Sequence, residues 1–277
     1  MTIWSGIGVN YGHQHTYDAM QAEDDFTYLK ANGITRLRIA MPAYDAASHF
    51  FSDGHDMVTR ALNHGFYVTW GVGAGYGAGT ITATRWSAWK SYVLSTLVPW
   101  AQSAGLSELI LGNESDMQMD GTSLTAAQVR SDIRTLATTI KANGYTGKLG
   151  YSTGAPGTYR TPWSTEGIGD LDLIGFNSYD VFINFNNRNI AIVSEFGDKG
   201  YISEFGCITN GYSDYNDETL WYNDVVNRIS NMKNAGIQSG YFFCYRDGGY
   251  GLQPNTYALV LTDGSVRLAR NAVLGQS

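Results

Sequence analysis

Two glutamates stand directly after short apolar runs, where a side-chain carboxylate can take part in chemistry. The run Leu109–Gly112 is followed by Asn113 and Glu114, and the run Tyr201–Ser203 is followed by Glu204. Burying a carboxylate in a protein core costs free energy, so a glutamate in this position is expected at the rim of a fold. Two carboxyl groups facing each other across a cleft can split a glycosidic bond, because one protonates the leaving oxygen while the other stabilises or attacks the anomeric carbon. A separation of about 5–5.5 Å predicts retention of configuration, and a wider one predicts inversion.

The elements that must position these glutamates are short strands that alternate with segments of helical period along the whole chain. Intervals of very roughly 30 residues between strands are typical of repeated βα units. We therefore predict an α/β fold, a single (β/α)8 TIM barrel that forms one domain over residues 1–277. The predicted strands are Gly8–Tyr11, Arg36–Ala40, Tyr67–Gly71, Glu108–Gly112, Lys148–Ser152, Leu171–Asn177, Tyr201–Glu204 and Gly240–Tyr245.

Four predicted helices end at a glycine just before a strand, as helix-to-strand connections commonly do. These helices are Tyr17–Asn32, Trp86–Ala104, Ala126–Asn143 and Asp217–Ala235. An open doubly wound sheet is the alternative, and it would carry a glycine-rich phosphate turn after its first strand. Gly6-Ile7-Gly8 stands before or within the first strand and lacks the third glycine, which favours the closed barrel. Glu114 and Glu204 then end the fourth and seventh strands and face each other across the barrel mouth.

The residues around the two glutamates carry a family resemblance. Asn113-Glu114 after the fourth strand, with Ser203-Glu204-Phe205-Gly206 after the seventh, resembles the pattern of the retaining glycoside hydrolases of clan A. The resemblance implies that Glu114 is the acid/base, that Asn113 contacts the substrate 2-hydroxyl and that Glu204 is the nucleophile. It covers essentially the whole chain as strand order, and its specific motifs are short. The implied activity is hydrolysis of β-glycosidic bonds in a polysaccharide or oligosaccharide.

Further residues extend this resemblance to the nucleophile's surroundings. Arg38, in Leu37-Arg38-Ile39 on the second strand, looks like the clan's arginine that supports the nucleophile, where charge pairing would keep Glu204 ionised. Tyr179, in Phe176-Asn177-Ser178-Tyr179 after the sixth strand, looks like the clan's tyrosine that hydrogen-bonds the nucleophile. The simpler structural alternatives are a salt bridge at the barrel bottom for Arg38 and a packed rim aromatic for Tyr179.

The eighth strand departs from the clan, which often places a tryptophan under the sugar there. The segment here reads Phe242-Phe243-Cys244-Tyr245-Arg246. Tyr245 is a candidate to replace the tryptophan, and Arg246 is a candidate to bind a polar or acidic group of the substrate.

The opening segment Ile7–Gly12 bears on the substrate. It is similar to the start of plant-type β-1,3-glucanases, and the chain shows slight similarity to cellulase-type barrels. This similarity favours a β-glucan substrate, and a compact barrel without an obvious long insertion to block the cleft favours endo action, so an endo-β-glucanase is expected. Tyr11, at the end of the first predicted strand, and His13, directly after it, are candidate substrate-binding residues at the cleft edge. A β-mannanase, xylanase or galactanase of the same clan stays open, and a non-catalytic carbohydrate-binding barrel is the alternative of another class.

A second copy of the nucleophile motif creates an ambiguity. Ile192–Gly197 also contains Ser-Glu-Phe-Gly, so Glu195 is an alternative nucleophile. Only ten residues separate Tyr179 from Ile190, slightly fewer than a parallel crossover with its helix needs. The 21 residues between Tyr179 and Tyr201 accommodate a helix that contains Glu195, and this spacing favours Glu204.

Composition argues against several other functions. With 18 basic and 25 acidic residues the net charge is −7, and no basic cluster stands out, so nucleic acid and anionic membranes are not expected as partners. No apolar run approaches the roughly 18 residues of a spanning helix. His13-Gln14-His15 is similar to the metal-binding pair of amidohydrolase barrels, but the other histidines all precede the third strand. We therefore expect no metal, no cofactor, a carbohydrate substrate and a monomer.

The cysteines and the N-terminus leave the compartment open. Cys207 and Cys244 are too few for a disulfide framework and stand near the ends of the last two predicted strands, so they could pair, although free thiols are favoured. Met1–Trp4 lacks the charged and apolar regions of a signal peptide. Secretion after removal of a leader that precedes residue 1 is an open expectation.

Overall fold

Eight parallel strands form a closed barrel in the structure, a computed structural model that describes residues 5–11, 18–41, 50–74, 80–180, 182–206, 217–245, 259–260 and 265–275. Each strand pairs with its neighbours in sequence, and the eighth pairs with the first. The strands are β1 (Gly6–Tyr11), β2 (Arg36–Met41), β3 (Tyr67–Val72), β4 (Glu108–Asn113), β5 (Lys148–Thr153), β6 (Leu173–Ser178), β7 (Gly200–Phe205) and β8 (Ser239–Phe242). The predicted α/β barrel is confirmed. The predicted eighth strand is wrong at its end, because β8 stops at Phe242 rather than Tyr245.

Helices alternate with the strands and cover the outside of the barrel. They are α1 (Ala19–Ala31), α2 (Phe50–Asn63), α3 (Ala83–Tyr92), α4 (Val98–Ser103), α5 (Ala126–Ala142), α6 (Pro156–Glu166), α7 (Phe182–Phe196), α8 (Glu218–Ala235) and α9 (Ala269–Leu274). The four predicted helices are present, and Thr125 caps α5 in a capping box with Gln128. The predicted helix Trp86–Ala104 is divided by a π-helical segment, Val93–Leu97, just before Pro99, which has no N–H to donate. Within the described residues no helix is both long enough and apolar enough to span a bilayer.

The barrel interior is filled by side chains rather than open. Ile110, Tyr201 and Tyr241 form a buried apolar cluster inside the strands, separate from the larger core between strands and helices. Two glycines on other strands make room for the tyrosine rings, because a Cβ on Gly8 or Gly175 would lie 2.6 Å from the ring of Tyr241 or Tyr201, respectively. This packing closes the lower barrel and leaves polar side chains for the C-terminal mouth.

The two strands that position the glutamates each contain an extra residue. In β4 the register with β5 shifts between Ile110 and Asn113, and in β7 the register with β6 shifts just before Glu204. A bulge of this kind re-aims the side chains that follow it and is common beside active sites. In this barrel the bulges bring Asn113 and Glu204 to the mouth.

Candidate active site

One buried guanidinium joins the two glutamate-bearing strands. Arg38 of β2 is fully buried and donates from Nη1 to Oε1 of Glu204 at 2.9 Å and to Oδ1 of Asn10 at 2.6 Å. Its Nη2 donates to Oδ1 of Asn113 at 2.8 Å. Burial alone would lower the pKa of Arg38, but the charge of Glu204 and its hydrogen bond raise it, so the cation is retained. Arg38 therefore lies at the site and not in a salt bridge at the barrel bottom.

Glu204 is held by hydrogen bonds on both carboxylate oxygens. The Tyr179 hydroxyl donates to Oε2 at 2.8 Å while Arg38 occupies Oε1. The glutamate is 5% exposed, so its position is set by these two partners and by the β7 backbone. The contacts expected of Arg38 and Tyr179 from the family resemblance are both present. Bidentate restraint of this kind fixes the direction of a carboxylate before a substrate arrives.

Asn177, at the end of β6, links the second glutamate to the same network. Its side-chain N–H donates to Oε1 of Glu114 at 2.8 Å and to Oδ1 of Asn113 at 3.2 Å, while its own Oδ1 accepts from the Ser203 hydroxyl at 2.8 Å. Asn177 was not among the predicted site residues, although it stands in the same motif as Tyr179. The sequence signal that could have identified Asn177 is an amide side chain at the end of an apolar barrel strand.

Glu114 follows β4 in a left-handed backbone conformation with φ 55°, which residues other than glycine rarely adopt. Its N–H donates to the carbonyl of Ser152 on β5 at 2.8 Å. Burial, with the negative charge of Glu204 next, raises the pKa of Glu114 to about 7, while the hydrogen bond from Asn177 opposes this rise. The two carboxyl groups thus have different environments, and among the described residues only Glu204 of the two is paired with a cation. With a pKa of about 7, Glu114 is protonated below neutral pH and still partly protonated at pH 7.

Asn10 is a further polar residue that the sequence did not single out. It is fully buried on β1, accepts from Arg38, and donates to the carbonyl of Ser203 at 3.2 Å. The side chain therefore ties β1 and β7 together beneath the ion pair of Arg38 and Glu204. The sequence signal that could have identified Asn10 is a polar side chain within the otherwise apolar predicted strand of the segment Ile7–Gly12.

The structure does not bring the predicted tyrosines Tyr11 and Tyr245 to this site. Side chains alternate along β1, so Tyr11 points outward where Asn10 points inward, and its hydroxyl donates to Asp25 of α1 at 2.7 Å. Tyr245 stacks on Tyr11 with ring centroids 6.1 Å apart. Each is 2% exposed, and both belong to the core between strands and helices, which corrects the interpretation that they bind substrate.

The remaining sequence candidates lie on the outer layer or outside the described residues. Glu195 lies on α7, as the length of the crossover predicted, and it pairs with Arg160 of α6. His13 and Arg246 lie outside the described residues, and so does Cys207, the predicted candidate to pair with Cys244. Among the described residues no group of three or more His, Cys, Asp or Glu side chains could hold a metal ion.

Phe243 is the aromatic residue of the eighth-strand segment that lies beside the site. Its ring meets the ring of Tyr179 edge-on, with centroids 6.1 Å apart and planes at 90°. The ring is partly exposed, in contrast to the buried Phe242 and Tyr245. The peptide bond from Phe243 to Cys244 is cis.

The mouth of the barrel thus carries one carboxyl group directly after β4 and one on β7, joined through buried polar side chains. The fold of the whole chain is similar to solved structures of known proteins. The barrel is similar to a GH5-4 broad-specificity endoglucanase from Clostridium acetobutylicum, with 14% identity, 97% of this chain and 95% of that chain covered, and a TM-score of 0.69. It is similar to fungal β-1,4-galactanases, with 14% identity, 98% and 99% coverage and a TM-score of 0.73. A family 5 xyloglucanase from Paenibacillus pabuli gives 15% identity, 98% coverage of both chains and a TM-score of 0.69. The shared feature is the fold. The sequence matches no protein-family model and no curated protein sequence.

Proposed function

We propose that the chain is a retaining glycoside hydrolase of clan A that cleaves β-glycosidic bonds of a polysaccharide or oligosaccharide, with an endo-β-glucanase favoured. The observation that carries the proposal is the pair of unlike carboxyl groups at the C-terminal mouth of the barrel. Burial and the charge of Glu204 raise the pKa of Glu114 to about 7, so that it is partly protonated at neutral pH, while Glu204 is paired with Arg38 and hydrogen-bonded by Tyr179. Barrel enzymes perform their chemistry at this mouth, and glycoside hydrolysis needs one acid and one carboxylate.

In the first half of the reaction, Glu114 donates its proton to the glycosidic oxygen as the bond from that oxygen to the anomeric carbon breaks. A carboxylate oxygen of Glu204 forms a bond to the same carbon from the opposite face, which yields a glycosyl ester and releases the leaving alcohol. Arg38 and Tyr179 hold the nucleophile in place during this step. Proton transfer by a positioned acid contributes about 10²–10⁴-fold to such rates.

In the second half, the same glutamate acts as a base. Once Glu204 is an ester, it has lost the negative charge that helps to raise the pKa of Glu114, so that pKa falls and the carboxylate can accept a proton from water. The resulting hydroxide adds to the anomeric carbon, the ester bond breaks, and Glu204 leaves as a carboxylate. Each half of the reaction inverts the configuration at the anomeric carbon, so the product retains the configuration of the substrate.

Two neighbouring residues are suited to contact the sugar. The side-chain oxygen of Asn113 already accepts from Arg38 and Asn177, which orients its NH₂ group as the donor to a substrate hydroxyl. Phe243 offers a partly exposed aromatic face beside Tyr179, and the CH face of a sugar ring is apolar enough to stack on it. Phe243 therefore replaces Tyr245 as the candidate for the sugar platform.

The test is a panel of β-glucans, mannan, xylan and galactan with detection of new reducing ends. Wild type should release reducing ends from at least one β-linked polymer, and proton NMR should show the β anomer first. Glu114→Gln and Glu204→Gln should each reduce turnover by at least about 10²-fold. Glu195→Gln, which alters the same tetrapeptide motif on α7, is the matched control and should retain activity. Oligosaccharide binding without hydrolysis across the panel would instead favour a non-catalytic sugar-binding barrel.

A further inference from the structure

A third carboxyl group, Asp116, is buried two residues after Glu114 and is not used by the mechanism above. It is 2% exposed and lies in the turn that follows β4. Its Oδ1 accepts from the Tyr151 hydroxyl at 2.7 Å, and its Oδ2 accepts from the Trp163 indole N–H at 3.1 Å. The Thr153 hydroxyl lies 3.0 Å from both oxygens. The two hydroxyls and the indole N–H can all donate, so the ionised form of Asp116 finds a hydrogen-bond donor on each oxygen.

These donors are neutral, so the charge of Asp116 is stabilised without being cancelled. No ion pair formed by the described residues includes Asp116. Burial raises the pKa of Asp116, and the hydrogen bonds from Tyr151, Trp163 and Thr153 act against this rise. The Trp163 ring, whose N–H binds Asp116, is itself in contact with a cation, because the guanidinium of Arg134 lies 5.9 Å from the centroid of that ring. An uncancelled buried charge acts on nearby titratable groups more strongly than a solvated one.

The same contacts fix the backbone that carries Glu114. Three consecutive residues of β5 bind the turn: the Ser152 carbonyl accepts from the N–H of Glu114, while Tyr151 and Thr153 bind Asp116 on either side. The Tyr151 hydroxyl also accepts from the N–H of Asp116 at 2.9 Å. A left-handed glutamate costs free energy, so the surrounding contacts must maintain it.

We propose that Asp116 is a positioning residue, whose clamped carboxylate locks the turn that carries Glu114 and supplies a second negative charge that keeps the proton on Glu114. The inference rests on the proposed function for its catalytic meaning. Within the described part of the chain, the charged groups that act on Glu114 are Glu204 from β7, Arg38 from β2 and Asp116 from its own turn. The negative charges of Glu204 and Asp116 raise the pKa of Glu114, and the positive charge of Arg38 lowers it. Because Glu204 loses its charge in the glycosyl ester, Asp116 is the charge that persists through both halves of the cycle.

The test measures Glu114 directly, by NMR of protein labelled with ¹³C at the Asp and Glu carboxyl carbons. Glu114→Gln and Asp116→Asn assign the two resonances. In wild type we expect Asp116 to be ionised throughout the pH range in which Glu114 titrates, near pH 7. In Asp116→Asn the titration of Glu114 should move to lower pH, by about half a pH unit or more, because a like charge is removed. The basic limb of kcat/KM should move by the same amount, with an activity loss of about threefold or more at pH 8.

Asp25→Asn is the matched control, since Asp25 is also buried and accepts from a tyrosine hydroxyl, Tyr11. It should leave both the Glu114 titration and the basic limb of the pH profile in place. A folded Asp116→Asn protein with an unchanged Glu114 titration would overturn the proposal. If that variant does not fold, the wild-type titration decides, because an Asp116 that keeps its proton above pH 7 would also overturn it. Absence of hydrolysis by wild type, together with the expected NMR shift, would refute the enzymatic function and leave the electrostatic role of Asp116 standing.

Discussion

Glu114→Gln should stabilise the protein at alkaline pH, even though it removes a residue that we place at the centre of catalysis. The folded protein holds the Glu114 proton with a pKa of about 7, against an ordinary value of 4.5. The folded state therefore binds this proton more tightly than the unfolded chain, and the free energy of unfolding falls as the pH rises from about 4.5 to about 7. At about 1.4 kcal/mol per pH unit, the loss amounts to about 3 kcal/mol above pH 7. Glutamine stays neutral, keeps the shape, and can still accept from Asn177.

The measurement is urea unfolding of wild type and variant at several pH values between 4 and 9. The difference in free energy of unfolding should be small near pH 4, grow with pH and level off above about 7. Glu195→Gln is the control, because this glutamate lies in a surface pair with Arg160 and its replacement should change stability by less than about 1 kcal/mol. A difference between Glu114→Gln and wild type that is constant with pH would show that Glu114 titrates as an ordinary glutamate, and the electrostatic reasoning would fail.

Three further predictions concern turnover. Glu204→Ala should abolish hydrolysis, and added azide should restore turnover of an activated β-glycoside with an α-glycosyl azide as product; full activity without azide would contradict the assignment. Tyr179→Phe should lower kcat by about tenfold or more with little change in KM, since a hydrogen bond to a charged group is worth about 1.5–3 kcal/mol. Finally, kcat/KM of wild type should fall above pH 7 as Glu114 loses its proton, and a profile that stays level to pH 9 would exclude Glu114 as the acid.

The sequence predicted the barrel well because its strands and helices are locally encoded. Apolar β-branched runs and helix-ending glycines repeat along the chain, and the order of the strands alone puts Glu114 and Glu204 on opposite sides of the mouth. The length of the crossover after Tyr179 placed Glu195 on a helix for the same reason, since a parallel connection has a minimum length.

Side-chain direction was the part that the sequence could not supply. Tyr11 ends the first predicted strand and is a predicted substrate-binding residue, but the pleat turns it toward α1, and Asn10 takes the inward position. The bulges in β4 and β7 decide which residues reach the mouth, and they depend on pairing between strands that are distant in sequence. Asp116 does not stand out in the sequence because its partners, Tyr151 and Trp163, come from later elements.

The most direct measurement is covalent trapping with 2-deoxy-2-fluoro-β-glycosyl fluorides, chosen to match the polymer that the enzyme hydrolyses. These reagents form the glycosyl ester and slow its breakdown, so intact-protein mass and peptide mapping identify the attached residue. We predict one sugar per chain, attached to the peptide that contains Glu204, and no adduct with Glu204→Gln. Attachment to the peptide that contains Glu195, or continued turnover of these reagents without any adduct, would contradict the assignment of Glu204 as the nucleophile opposite Glu114.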